Sequence, residues 1–283
     1  ETKIAKQTGF LAGAIKQSGS YYVYASVTGA GGATVTADVS TATTGATSVV
    51  LTAGSYSAEG LVYNYRSGVQ TAVSPLSQGV KSYSITSTDP AGNAQTQSNY
   101  NVNVDNTAPI ATDVQTANGG STVGRAQPAD TVTLTFSERI DPQSLLSGWT
   151  GSSANVVVRL VDGGGCVLFL LCADDYLEIW NSTNTVKLPF GLLDLNGVDY
   201  NGSAVIGLGT QPTAVFGSSG TASTMVQSGS TITITLGTLN SGTPGTGSST
   251  TVGWSPVSTP YDAAGNAIST SGASESGPGD QEF

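Results

Sequence analysis

One five-residue turn, written twice, constrains this chain more than any other feature: Asp89-Pro90-Ala91-Gly92-Asn93 and Asp262-Ala263-Ala264-Gly265-Asn266. Around the first copy, period-2 runs put Tyr83 and Ile85, then Tyr100, Val102 and Val104, on one face, the pattern of two half-buried strands. An Asp at the turn entry accepts backbone N–H groups, while Gly and Asn tolerate the positive φ that such turns need. Each copy therefore reads as the last hairpin of a β-sandwich. Asp105-Asn106-Thr107-Ala108-Pro109 reads as the seam between two of them.

At 283 residues the chain is long enough for two ordinary domains, and the internal echo favours two. Only 10% of residues are charged, and 37 glycines sit among abundant Ser and Thr, as expected for many short strands joined by turns. The net charge is −10 and the nine basic residues are scattered, so there is no footprint for phosphate neutralisation and nucleic acid is an unexpected partner. No run approaches the roughly 20 apolar residues that span a bilayer as a helix. The composition reads as that of an extracellular or cell-surface protein whose signal peptide has been removed ahead of Glu1, and no sorting motif or anchor follows Asn266. In that compartment, Cys166 and Cys172 are expected to pair as a disulfide within one hairpin.

Taken in order, residues 1–18 carry Ile4, Phe10, Leu11 and Ile15 without a clean period. They form either the first strand of domain one or an arm that completes a neighbour's sheet. Domain one proper spans 19–107: Tyr21, Val23, Ala25 and Val27 share one face, as do Val35, Ala37 and Val39, and Leu61, Tyr63 and Tyr65 alternate again. About seven short strands in roughly a hundred residues suit an immunoglobulin-like sandwich. Domain two spans 108–283, with Val132, Leu134 and Phe136 as its clearest inward face. Asp141 is placed to cap a helical turn that has Pro142 at its first position. The stretch from Asn196 to Gly229 reads as a long loop or weak edge strands, and Gly237 to Ser249 as a flexible loop.

The run Tyr-Ser-Ile-Thr-Ser-Thr-Asp-Pro-Ala-Gly-Asn from Tyr83, followed by Val104-Asp105-Asn106-Thr107-Ala108-Pro109, resembles the ends of Ig-like repeats in large bacterial surface proteins and adhesins. Thr133-Leu134-Thr135-Phe136-Ser137-Glu138-Arg139-Ile140-Asp141-Pro142, closed by the second turn, is similar to the Ig-like domain type of S-layer proteins. The resemblance implies an all-β chain of two tandem Ig-like β-sandwich domains, the second enlarged by insertions. It also implies a candidate calcium site at the junction, drawn from Asp89, Asn93, Asp105 and Asn106, since related repeats stiffen their arrays with acidic residues there. Against this, Asp89 and Asp262 have their own turns to satisfy, and Asp105 its strand exit. No other cofactor is expected.

Catalysis has little to build on. Without His there is no Ser-His-Asp or Cys-His arrangement, and the adjacent Asp174 and Asp175, with Glu178 nearby, face opposite sides of a strand. The chain is therefore not expected to be an enzyme. The apolar run from Cys166 to Cys172, with Phe169 and Leu170 at its centre, is either a buried strand or a displayed association patch. Asn181-Ser182-Thr183 and Asn201-Gly202-Ser203 match the N-glycosylation pattern and mark expected exposed turns.

The expected function is that of an exported structural subunit, a homopolymer of a bacterial surface filament or layer assembling by strand addition. Ile4, Phe10, Leu11, Ile15, Phe169 and Leu170 are the candidate assembly residues, and the tail from Ser269 to Phe283 is the other candidate arm. The alternative is a cell-surface adhesin or carbohydrate-binding module that stacks surface glycans on Tyr22, Tyr24, Tyr63, Tyr65 and the three Trp residues.

Overall fold

The computed structural model describes residues 1–29, 32–163, 174–201 and 213–283. The chain divides into two compact units. The first contains Glu1–Ala108 together with Asp141–Ser144 and Tyr261–Ala267, and the second contains Pro109–Ile140, Leu145–Pro260 and Ile268–Phe283. The protein is all-β: among the described residues the only helix is the single turn α1 (Pro142–Leu145).

The first unit is one sheet of nine strands: β1 (Thr2–Lys6), β2 (Ala14–Ile15), β3 (Ser20–Ala25), β4 (Thr34–Asp38), β5 (Val49–Ala58), β6 (Leu61–Ser67), β7 (Gln70–Thr71), β8 (Gly79–Thr88) and β9 (Ala94–Val104). Their order is β1-β3-β6-β5-β4-β8-β9-β2, with β7 beside β3. The sheet almost closes on itself. Gly13 N–H donates to the Ile4 carbonyl on β1, and Gly13 C=O accepts from Asn103 on β9, so one residue bridges the two ends. The alternation anticipated in the sequence decides what lies inside: Tyr21, Val23, Ala25, Val35, Ala37, Val39, Ile85, Val102 and Val104 are all buried in one cluster. Each buried Val or Ile among them contributes about 1.5–3 kcal/mol by leaving water.

Residues 1–18 are no free arm. β1 pairs antiparallel with β3 over its whole length, β2 runs parallel to the end of β9, and Ile4, Leu11 and Ile15 are buried within this same unit. Three large apolar side chains in eighteen residues favour an internal core over solvent, and the sheet supplies one.

The second unit contains β10 (Ala111–Ala117), β11 (Thr131–Phe136), β12 (Ala154–Val161), β13 (Tyr176–Asn181), β14 (Leu192–Asp194), β15 (Thr213–Phe216), β16 (Ser223–Ser228) and β17 (Thr231–Thr235). It continues with β18 (Leu239–Ser241), β19 (Ser249–Thr250), β20 (Gly253–Ser255), β21 (Ala273–Ser274) and β22 (Asp280–Gln281). Its main sheet runs β10-β11-β17-β16-β12-β13-β14-β20-β21; β15 pairs with β12 and β18, and β19 pairs with β22. β11 alternates strictly, with Val132, Leu134 and Phe136 buried against Ile232 and Ile234 of β17. Trp254 lies in this core, its ring edge-on to Phe136 at 4.9 Å and its indole N–H donated to the Phe190 carbonyl at 2.7 Å.

Three expectations are corrected here. The stretch after Asn196 is no simple loop insertion, because β16 lies between β17 and β12 in the main sheet with Met225 fully buried. Its buried Ser223 is accommodated by hydrogen bonds: Ser223 Oγ donates to the Phe216 carbonyl and accepts from Gly237 N–H. Gly237 to Ser249, read as a loop, contains β18. The tail is likewise occupied within its own unit, since β21 pairs with β20, β22 pairs with β19, and Phe283 is buried against Tyr200.

Candidate interaction edge

The seam between β1 and β9 is where the first unit leaves main-chain groups without a ladder. β9 has eleven residues and pairs with β8 along nearly all of them. On its other side only Asn103 and Val104 are matched, by β2. From Ala94 to Val102 the outer edge of β9 has no ladder partner among the described residues. Ala94 to Asn99 are exposed on both faces, so the hairpin tip stands clear of the core.

The facing edge is β1. Its Thr2 reaches across to β8, Thr2 Oγ1 lying 3.3 Å from the Tyr83 hydroxyl. Burial pushes that hydroxyl's pKa up to about 12, so it stays protonated. Between the diverging edges lies a cleft of ≈ 400 Å³ lined by Thr2, Ile85, Ser87, Gln95, Gln97 and Tyr100, among others.

Two devices that blunt sheet edges are lacking in β9. It has no charged residue and no proline between Ala94 and Val104. It has one bulge: Ser98 and Asn99 together oppose Ser84, with Asn99 in the left-handed region at φ 68°.

The proposed calcium ligands do not converge. Asp89 and Asn93 sit at the hairpin tip, whereas Asp105 and Asn106 follow the far end of β9, roughly 35 Å away along an extended strand. Each is also engaged locally. Asp89 accepts from the Asn93 backbone and side chain, and that side-chain bond, chiefly, lowers its pKa. Asp105 accepts from Thr107 N–H; Asn106 accepts from Gln17 N–H and donates to the Leu76 carbonyl.

Other sequence candidates scatter. Phe10 is half-buried, and its N–H donates to Asp141. Cys166, Cys172, Phe169 and Leu170 lie outside the described residues. Asn201 is no exposed glycosylation turn: it is buried, its amide donating to the Leu160 carbonyl. Asn181 organises its own hairpin, accepting from Thr185 and Val186 N–H. Tyr24, Tyr63 and Tyr65 are buried, and the rings of Tyr22 and Tyr56 are covered by the Arg66 guanidinium at 4.3 and 4.4 Å. Of the tryptophans, Trp149 and Trp254 are core residues, and Trp180 carries Arg159 over its ring at 3.7 Å.

Two buried acids, Asp175 and Asp141, hold more than their sequence positions suggest. Asp174 is exposed and Asp175 fully buried, so the neighbours do face apart. Asp175 accepts from Asn201 N–H at 2.9 Å, and burial, reinforced by the nearby Asp162 charge, raises its pKa to about 6. Between pH 4 and 6 the folded chain thus holds a proton that the unfolded chain has released. Stability should therefore fall as pH rises through that window, by about 2–3 kcal/mol from this group, and level off above it. Replacing Asp175 by Asn should remove that slope from thermal unfolding measured against pH; an unchanged slope in the variant would assign it elsewhere.

Asp141, expected only to cap a helical turn, does so through Gln143 N–H, but it also receives Phe10 N–H, Leu11 N–H and the Lys6 ammonium, all within the first unit. Lys6 donates further to the Leu11 and Ala263 carbonyls. Burial lowers its pKa, and Asp141 opposes the shift.

Compared with known proteins, the chain matches no family model, no curated sequence and no solved structure. Among the described residues, no helix is long and apolar enough to cross a membrane.

Proposed function

We propose that the chain is an exported structural subunit of a bacterial surface filament or layer, built of Ig-like sandwiches that associate with copies of themselves by strand addition. The observation that carries this reading is the long, uncharged outer edge of β9, a row of backbone donors and acceptors available to another strand. The first eighteen residues and the C-terminal tail already pair within their own units, so assembly proceeds by adding to an edge rather than by lending a free arm. The adhesin alternative has less support, because the aromatic side chains that would stack on sugars are buried or carry an arginine.

Sedimentation velocity over a wide concentration range, with negative-stain imaging of the concentrated protein, tests the reading. Oligomers that grow with concentration into regular particles or fibres are expected. Monomers at every concentration would overturn it.

A further inference from the structure

Which partner fits the β9 edge is written in the edge itself. Resting on the self-association reading above, we infer that β9 pairs antiparallel with β9 of a second copy, about a twofold axis at Thr96. The segment Ala94-Gln95-Thr96-Gln97-Ser98 is nearly palindromic. In an antiparallel pair centred on Thr96, Gln95 lies opposite the partner's Gln97, Ala94 opposite the partner's Ser98, and Thr96 opposite its own copy. Directly opposed residues share a face, so each Gln meets a Gln, whose amide both donates and accepts. A twofold contact requires such self-complementarity, because the same patch serves on both sides.

The pairing is confined to Ala94–Ser98, ending where the bulge at Ser98 and Asn99 begins. Thr96 already turns its hydroxyl to Thr86 of β8 at 2.8 Å, on the face away from the cleft. Gln95 and Gln97, on the opposite face with Ile85 and Ser87, are exposed along the cleft. Electrostatics point the same way. Two chains of net charge −10 repel, and this uncharged strand is a surface along which they can meet with the least opposition. The resulting dimer is closed, so a filament or layer would need a second, different contact.

The test uses the full chain. Gln95→Lys with Gln97→Lys places like charges opposite one another across the axis. It should raise the concentration at which dimers form by at least about tenfold, with the melting temperature of the monomer unchanged because both side chains are exposed. The matching Gln95→Glu with Gln97→Glu variant should fail alone in the same way. Mixing the two variants should restore a species of twice 28.4 kDa.

Loss in each variant and rescue in the mixture is the result expected. If wild-type chains associate and the lysine variant associates equally well, the β9 pairing is wrong while self-association stands. If both variants fail and the mixture also fails, the edge matters but the twofold register is overturned. If wild type never associates, both readings fall.

Discussion

Replacing Asp141 by Ala should destabilise the first unit by about 3–5 kcal/mol, the loss typical of a buried ion pair stripped of one partner. Asp141 is fully buried and its carboxylate collects Phe10, Leu11 and Gln143 N–H as well as Lys6. The variant leaves the Lys6 ammonium with carbonyl acceptors but without its paired carboxylate, and strands three amide donors. Lys6→Met should cost less, about 1–3 kcal/mol, because the three backbone donors continue to stabilise the carboxylate. Gly9 adds a geometric reason for the site: its φ is +111°, and a side-chain carbon there would come within 2.4 Å of Asp141 Oδ2.

The readout can be made local. All three Trp residues belong to the second unit and most of the tyrosines to the first. Tyrosine near-UV signal should therefore lose its transition at lower temperature in Asp141→Ala. Equal losses for Lys6→Met and Asp141→Ala would mean that the amide donors contribute nothing beyond the ion pair.

Local features of this fold were legible because they depend on neighbours in sequence. Alternation marked β3, β4 and β11 and their inward faces, and Asp141-Pro142 marked a helical turn with its cap. Long-range pairing was not legible. Nothing near Lys6 announces that it will meet a carboxylate 135 residues away, and the same acid that caps α1 gave no sign of its second set of donors. Polar β16 reads as a loop or weak edge strand for a related reason: its Ser223 fits the middle of a sheet because Phe216 and Gly237 supply hydrogen-bond partners. The β9 edge was written as a period-2 strand. Whether an edge is open depends on where β2 stops, which only the assembled sheet reveals.

The two copies of the Asp-x-x-Gly-Asn turn show how context sets the worth of one motif. Both fold alike. Asp89 accepts from Asn93 N–H and its side-chain amide; Asp262 Oδ1 accepts from Ala264, Gly265 and Asn266 N–H, and its Oδ2 from the Asn266 amide. Their surroundings differ completely. Asp89 and Asn93 are exposed, whereas Asp262, Ala264 and Asn266 are buried, and Asn266 reaches on to the Asp105 carbonyl. At the tip, water replaces any donor's lost partner, so Asp89→Ala should leave the melting temperature nearly unchanged. In the buried copy the donors released by Asp262→Ala have nowhere to turn, and unpaired buried amides make a loss of about 2–3 kcal/mol the expected result. Thermal unfolding of the two single variants side by side decides the matter. Equal losses would mean that the turn's own hydrogen bonds, and not their isolation from solvent, set its contribution.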